Sequence, residues 1–170
     1  MNRFHFGPAR KDERIVFGAE KPGHRPSEIQ EWIDFMKEHK IQRVCCLLSG
    51  SQLTGFEKNL LEVYRQEFGS QNVCEAPIRD YHLVDPETLE AKILPFLLES
   101  DREQKPVVVH CWSGNGRTGH ILAAWLVRGR GLPPEKALSS VISMGRKPRE
   151  AIQHGNATEE ELITLLSGPA

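Results

Sequence analysis

Long hydrophobic runs are missing from this 170-residue sequence. The longest unbroken apolar stretch, Ile121 to Val127, has seven residues, far short of the ~20 that a membrane-spanning helix needs. Met1 to Arg14 carries no apolar segment of leader-peptide length. These features predict a soluble, cytoplasmic protein with no membrane partner. A charge of one sign is lacking too. The 22 Lys and Arg stand against 23 Asp and Glu, a net charge of −1, so no global field draws the chain to nucleic acid. Cysteine is scarce: Cys45, Cys46, Cys74 and Cys111 are the four, with no Cys-x-x-Cys pair and no zinc-like spacing. Reduced thiols and no metal or cofactor are expected. Repeats, low-complexity tracts and dividing linkers are also absent, so residues 1–170 read as one domain, expected to be monomeric.

What is there is an alternation of short apolar strands and amphipathic helices. Strands are expected at 14–19, 43–48, 73–78 and 107–110. Ser27 with Gln30 reads as a capping box ahead of Ile29, Trp32, Ile33 and Met36, which recur at helical spacing. Thr54 with Glu57 reads as another, opening a helix that Gly69 ends. Asp85 and Pro86 look like an N-cap and first helical residue, and Pro95 should kink the helix that follows. A helix from Thr118 to about Arg128 is apolar on most faces and should be central. Pro133 and Pro134 start another, and Thr158 with Glu161 caps the last. This order predicts an α/β fold with a mostly parallel sheet of four to five strands and helices on both faces. Ligands in such folds sit at the C-terminal ends of strands. The loops 49–53, 79–84 and 111–117 all leave strands at that edge.

Residues 107 to 119 concentrate the chemistry. The strand Val107 to Val109 delivers Cys111 to a glycine-containing loop, and Arg117 closes that loop at the start of the central helix. Backbone N–H groups at such a junction form an anion cradle. Trp112, Ser113, Gly114, Asn115 and Gly116 would line it, and Gly114 and Gly116 let the chain curl around a small anion. Arg117 supplies a planar fork that grips two oxygens of a phosphate. N–H dipoles and a guanidinium favour the Cys111 thiolate, the nucleophilic form. From Asp101 to Gln153, nine Lys and Arg face four Asp and Glu, a bias that suits an anionic substrate and equally a solvated surface.

The pattern His-Cys-x-x-Gly-x-x-Arg-Thr-Gly, carried by His110, Cys111, Gly114, Arg117, Thr118 and Gly119, resembles the signature loop of the cysteine-dependent protein tyrosine phosphatase superfamily. The size of the chain is similar to its small dual-specificity members. The resemblance implies Cys111 as nucleophile, Arg117 as phosphate clamp, Thr118 as the hydroxyl that stabilises the departing thiolate, and His110 as a loop-ordering residue. A thiolate that displaces an alkoxide needs a general acid. Asp80, in Ala-Pro-Ile-Arg-Asp, resembles the family's aspartate loop, although Tyr81, His82 and Leu83 follow where many relatives have glycines. Asp85 is the rival carboxylate, with helix capping as its plainer role, and His82 is a second candidate acid. Residues 145–152 loosely resemble the segment that buttresses the family's signature loop. Gln153 and Asn156 are candidates to position the hydrolytic water or are simply surface residues.

The resemblance implies a phosphomonoester hydrolase with a phosphorylated protein as partner, acting on phosphotyrosine and on phosphoserine or phosphothreonine. The alternative is a non-protein substrate: an inositol phosphate, a phosphoinositide or an RNA 5′-triphosphate. Uncharged Trp112, Ser113 and Asn115 speak against polyanions. A phosphate-reading module without turnover and a rhodanese-like sulfurtransferase are the other classes. Cys45 and Cys46 read as core residues, with protection of oxidised Cys111 as the alternative use of a neighbouring thiol.

Overall fold

The computed structural model describes residues 3–169. One sheet holds β1 (Gly7–Pro8), β2 (Val16–Ala19), β3 (Arg43–Cys46), β4 (Val73–Glu75) and β5 (Val107–His110), in the order β1-β2-β5-β3-β4. β1 pairs antiparallel with β2, and the other pairings are parallel. The expected sheet is present. β1, two residues with no periodicity, is the strand that pattern reading misses. Successive side chains of each strand point to opposite faces. Val107 and Val109 enter one core with Cys45 and Cys74, while Val108 enters the other with Val44 and Cys46. Burial on both faces explains why these strands are continuously apolar.

One face is covered by α1 (Pro26–Glu38) and α3 (Leu60–Phe68), with the stripe Ile29, Trp32, Ile33 and Met36 fully buried. The other is covered by α5 (Leu94–Arg102), α6 (Gly116–Arg128), α7 (Pro134–Ser143) and α9 (Glu159–Ser167). Every residue of α6 from Gly116 to Leu126 is buried, as expected of the central helix. The short helices α2 (Gly50–Leu53), α4 (Pro86–Thr88) and α8 (Glu150–Gln153) lie between these elements. Among the described residues no helix is long and apolar enough to cross a membrane.

Two expected caps lie elsewhere. α1 starts at Pro26, and the Arg25 amide donates to Glu28 Oε1 at 3.3 Å. Pro26 suits the first helical position because it has no N–H to leave unpaired. Thr54 ends α2 instead of opening a helix, and Asn59 caps α3 by accepting from the Glu62 amide at 3.1 Å. Asn59 stands directly ahead of buried Leu60, Leu61 and Tyr64, and that apolar stripe decides where the helix begins. Asp85 accepts from the Thr88 amide at 3.2 Å, and Thr158 with Glu161 forms a reciprocal box at 3.0 and 3.1 Å, both as expected. Where a kink is expected at Pro95, the chain makes a widened π turn over Leu89–Ile93 just ahead of it. Pro95 has no N–H, and its ring crowds the carbonyl four residues back. β3 and β4 end earlier than expected, yet Ala76 and Ile78 still donate to Cys46 and Leu47 carbonyls at 3.0 Å each. The extended chain therefore reaches the sheet edge at residue 78.

Candidate active site

β5 ends at His110, and the loop 111–115 leads straight into α6. The amides of Trp112, Ser113 and Gly114 have no protein acceptor among the described residues. The first amides of α6, at Gly116, Arg117 and Thr118, lack intrahelical partners as at every helix start. Together they form a ring of donors with the helix's positive end behind it. Gly114 holds φ +80°, and a Cβ there would lie 2.8 Å from the Ala19 carbonyl and 2.9 Å from the Glu20 amide. Only glycine lets the loop lie against the exit of β2. Behind the loop, buried Arg146 donates to the carbonyls of Gly114 (2.9 Å) and Gly18 (3.0 Å), and the Lys147 amide donates to Asn115 O (3.1 Å). Segment 145–152 thus supports the loop. Burial lowers the Arg146 guanidinium to about 10, with the Cys111 charge acting the other way.

Cys111 is 2% exposed, at the floor of the cradle. The Thr118 hydroxyl donates to Cys111 Sγ at 3.1 Å, where it offsets negative charge on sulfur. His110 is buried behind the loop. Its Nδ1 lies 3.0 Å from the Cys111 carbonyl and its Nε2 lies 2.9 Å from the Tyr64 hydroxyl. A carbonyl only accepts, so Nδ1 carries the proton and Nε2 accepts from Tyr64. Burial lowers this imidazole to about 4, so it stays neutral near pH 7. His110 orders the loop through the Cys111 carbonyl.

Arg117 is 3% exposed. Its Nη1 donates to Gln52 Oε1 (2.8 Å) and to the Ile78 carbonyl (3.0 Å). Its Nη2 lies 3.1 Å from Asp80 Oδ1. Two acceptors hold Nη1, while Asp80 pairs with Nη2, so an anion that takes the Nε–Nη2 edge meets the Asp80 carboxylate there. Gln52 Nε2 also donates to Asp80 Oδ2 at 3.3 Å. Gln52 therefore touches both Arg117 and Asp80, the candidate clamp and the candidate acid. Motif reading does not single it out. Its one signal is its place in the polar loop 49–53 at the C-terminal end of β3, one of the three loops expected at the ligand edge. That segment is instead the short helix α2, capped by Ser49.

Asp80 begins a tight loop. Tyr81 has φ +64°, a left-handed conformation that costs a non-glycine residue roughly 1–2 kcal/mol. Two contacts offset the strain: Tyr81 stacks on His154 at 3.9 Å, and Asn156 Nδ2 donates to the Tyr81 carbonyl at 2.9 Å. Asn156 therefore holds the loop, while Gln153 is exposed on α8. His82 turns inward to the Asp80 carbonyl at 2.9 Å. Asp85 is committed to its helix cap.

The cradle's rim is aromatic and basic. Trp112 is 40% exposed, and Lys21 Nζ sits 4.3 Å from its ring centroid. The Lys21 amide donates to the Trp112 carbonyl at 3.2 Å, and His5 Nδ1 lies 3.2 Å from the Ser113 carbonyl. Burial lowers the Lys21 ammonium, against the pull of Glu20 and Glu28. Neither Lys21 nor His5 belongs to any motif, so sequence reading passes over both. All four cysteines are free and buried. Cys45 faces Cys74 across β3 and β4. Burial raises Cys46 to about 12, which makes it a weak partner for thiol exchange.

Residues 17–131 match the family model described as "Polymorphic toxin system, DSP-PTPase phosphatase". No curated protein sequence matches the chain. The fold is similar to that of Tk-PTP in its active form, with 27% identity, a TM-score of 0.68 and coverage of 92% of this chain and 97% of that one. It is also similar to PTPMT1 in complex with PI(5)P, at 13% identity and TM-score 0.69, covering 95% and 92% of the two chains. A Cys-to-Ser variant of P. aeruginosa TpbA in complex with pTyr matches at 16% identity and TM-score 0.59, covering 99% and 94%. Since the family match spans more than half of its length and carries the cysteine loop, this chain is a phosphatase of the tyrosine and dual-specificity superfamily and belongs to the DSP-PTPase family of polymorphic toxin systems.

Proposed function

We propose that the protein hydrolyses phosphomonoesters on phosphorylated proteins through a cysteinyl-phosphate intermediate. The observation that supports this reading best is the convergence on one pocket of Cys111, the Thr118 hydroxyl 3.1 Å from its sulfur, and Arg117 paired through Nη2 with Asp80. The incoming phosphate takes the loop amides and the Nε–Nη2 edge of Arg117 and so displaces Asp80 from the guanidinium, and the freed carboxylate takes a proton from solvent. The Cys111 thiolate attacks phosphorus, the P–O bond to the leaving group breaks, and protonated Asp80 delivers its proton to that oxygen. A water then attacks the cysteinyl phosphate and gives its proton to Asp80. Inorganic phosphate departs, and Thr118 stabilises the released thiolate. Arg117 and the amides hold the equatorial oxygens, where the transition-state charge lies.

A second reading, a polyanionic small substrate such as an inositol phosphate, draws support from Lys21. This cation stands beside Trp112 on the rim of the cradle, where the loop itself offers no charged side chain. A panel of phosphotyrosyl, phosphoseryl and phosphothreonyl peptides, inositol phosphates, phosphoinositides and triphosphate-ended RNA separates the two. We expect the highest kcat/KM on a phosphopeptide and loss of all turnover in Cys111→Ser, with vanadate binding retained because the cradle survives. Substantial hydrolysis by Cys111→Ser overturns the mechanism. A clear preference for an inositol phosphate, lost in Lys21→Ala, favours the second reading.

A further inference from the structure

We propose that His120 is a positioning residue for the acid loop, acting as a staple between the nucleophile's helix and the far end of residues 79–84. The proposal rests on the reading of Asp80 as general acid. His120 follows the signature motif and is a polar residue in the otherwise apolar run of α6, 1% exposed. Its Nδ1 lies 3.1 Å from the Gly116 carbonyl, and its Nε2 accepts from the Val84 amide at 3.1 Å. The carbonyl can only accept and the amide can only donate, so one neutral tautomer, protonated at Nδ1, serves both. The first bond is local to α6. The second crosses 36 residues of sequence and joins two catalytic elements.

Arg117 and His120 are three residues apart and so share one side of α6. Arg117 Nη1 holds the Ile78 carbonyl at the loop's entrance. His120 Nε2 holds the Val84 amide at its exit. The helix that carries the phosphate loop therefore grips both ends of the segment bearing Asp80. Between these grips the loop contains the left-handed Tyr81, so its shape depends on outside anchors. Moving the exit shifts the Asp80 carboxyl relative to Cys111, and proton transfer is sensitive to such shifts. Among the described residues no other side chain accepts from the Val84 amide.

The test compares an alkyl-type phosphoseryl peptide, a poor leaving group, with a nitrophenyl phosphate, a good one. His120→Asn keeps a group near Gly116 but is too short to reach Val84. It should lower kcat on the peptide by about tenfold or more, with a several-fold smaller loss on the activated ester and little change in KM. His120→Gln places a carbonyl oxygen near the position of Nε2 and should regain most of the lost rate. In an Asp80→Asn background, His120→Asn should add no further leaving-group effect. Equal losses on both substrates, or no rescue by Gln, overturn the proposal and leave His120 a packing residue. If His120→Asn does not fold, His120→Gln carries the comparison: any loss it shows should be larger on the peptide than on the activated ester, and an equal loss on both overturns the proposal. If Asp80→Asn shows the leaving-group effect but His120→Asn does not, only the staple falls. If Asp80→Asn shows none, the acid assignment and the staple fall together.

Discussion

Replacing Arg117 with lysine keeps the charge and removes the fork, and the structure says what each lost nitrogen does. Nη1 holds Gln52 Oε1 and the Ile78 carbonyl, while Nη2 and Nε form the edge open to phosphate. A single ammonium cannot serve both sides. If it turns toward Gln52 and Ile78, the phosphate loses its bidentate grip. Loss of one pre-organised transition-state donor typically costs about 2.7–4 kcal/mol, or about 10²–10³ in kcat. If it turns toward phosphate, a buried acceptor at the acid loop's entrance is orphaned, at about 1–3 kcal/mol of stability. For a chain of this size each kcal/mol shifts Tm by roughly 2–4 °C. Arg117→Lys should therefore show a kcat loss of at least about 10² at saturating phosphopeptide, a smaller change in KM, and a lower Tm. Gln52→Leu, which removes one anchor and spares the phosphate edge, should cost less in kcat. The assays are steady-state kinetics and thermal unfolding of both variants. A full kcat with only KM raised would show that Arg117 merely recruits substrate and would refute this account of the clamp.

Asp80→Asn should slow hydrolysis of a phosphopeptide far more than that of a nitrophenyl phosphate, whereas Asp85→Ala should only lower stability, by about 1 kcal/mol as a lost cap; reversed results would move the acid to Asp85. Gly114→Ala forces a Cβ to within 2.8 Å of the Ala19 backbone at φ +80°, so vanadate affinity should fall at least about tenfold as the loop shifts; unchanged binding, by isothermal titration, would show that the loop adapts. Glu13 is buried and accepts from Trp125 Nε1, Arg130 and the amides of Ile15 and Val16. Burial acts to raise its carboxyl, but Arg130, then Trp125 and those amides, outweigh it and hold it below the usual range. A depressed folded pKa stabilises above the unfolded value near 4.5 and is lost as pH falls through the folded one. Glu13→Gln should therefore lower stability at pH 7 by about 3 kcal/mol and flatten its decline below pH 5. Parallel denaturation curves for the two proteins at every pH would contradict this.

Local chemistry is what the sequence determined by itself. β5 lies at Val107–His110 and the Asp85–Pro86 start is where reading placed it, because an apolar run, an N-cap and a proline act within a few residues of their own position. The signature loop is legible for the same reason: Cys111, Arg117 and Thr118, the proposed nucleophile, clamp and hydroxyl, are neighbours in sequence and need only a strand before them and a helix after. The α/β class follows from the alternation of apolar periods. Tertiary structure decided the rest. α3 is capped by Asn59 and not by Thr54 because Leu60, Leu61 and Tyr64 have a sheet face to bury against. Gln52 reaches Arg117 across 65 residues, His120 reaches Val84 across 36, and Arg146 reaches Gly114 across 32. Each of these is a common polar residue whose hydrogen-bonding capacity says nothing of its partner. The partners were set by the parallel strands β2, β3, β4 and β5, whose C-terminal ends bring loops distant in sequence to one edge.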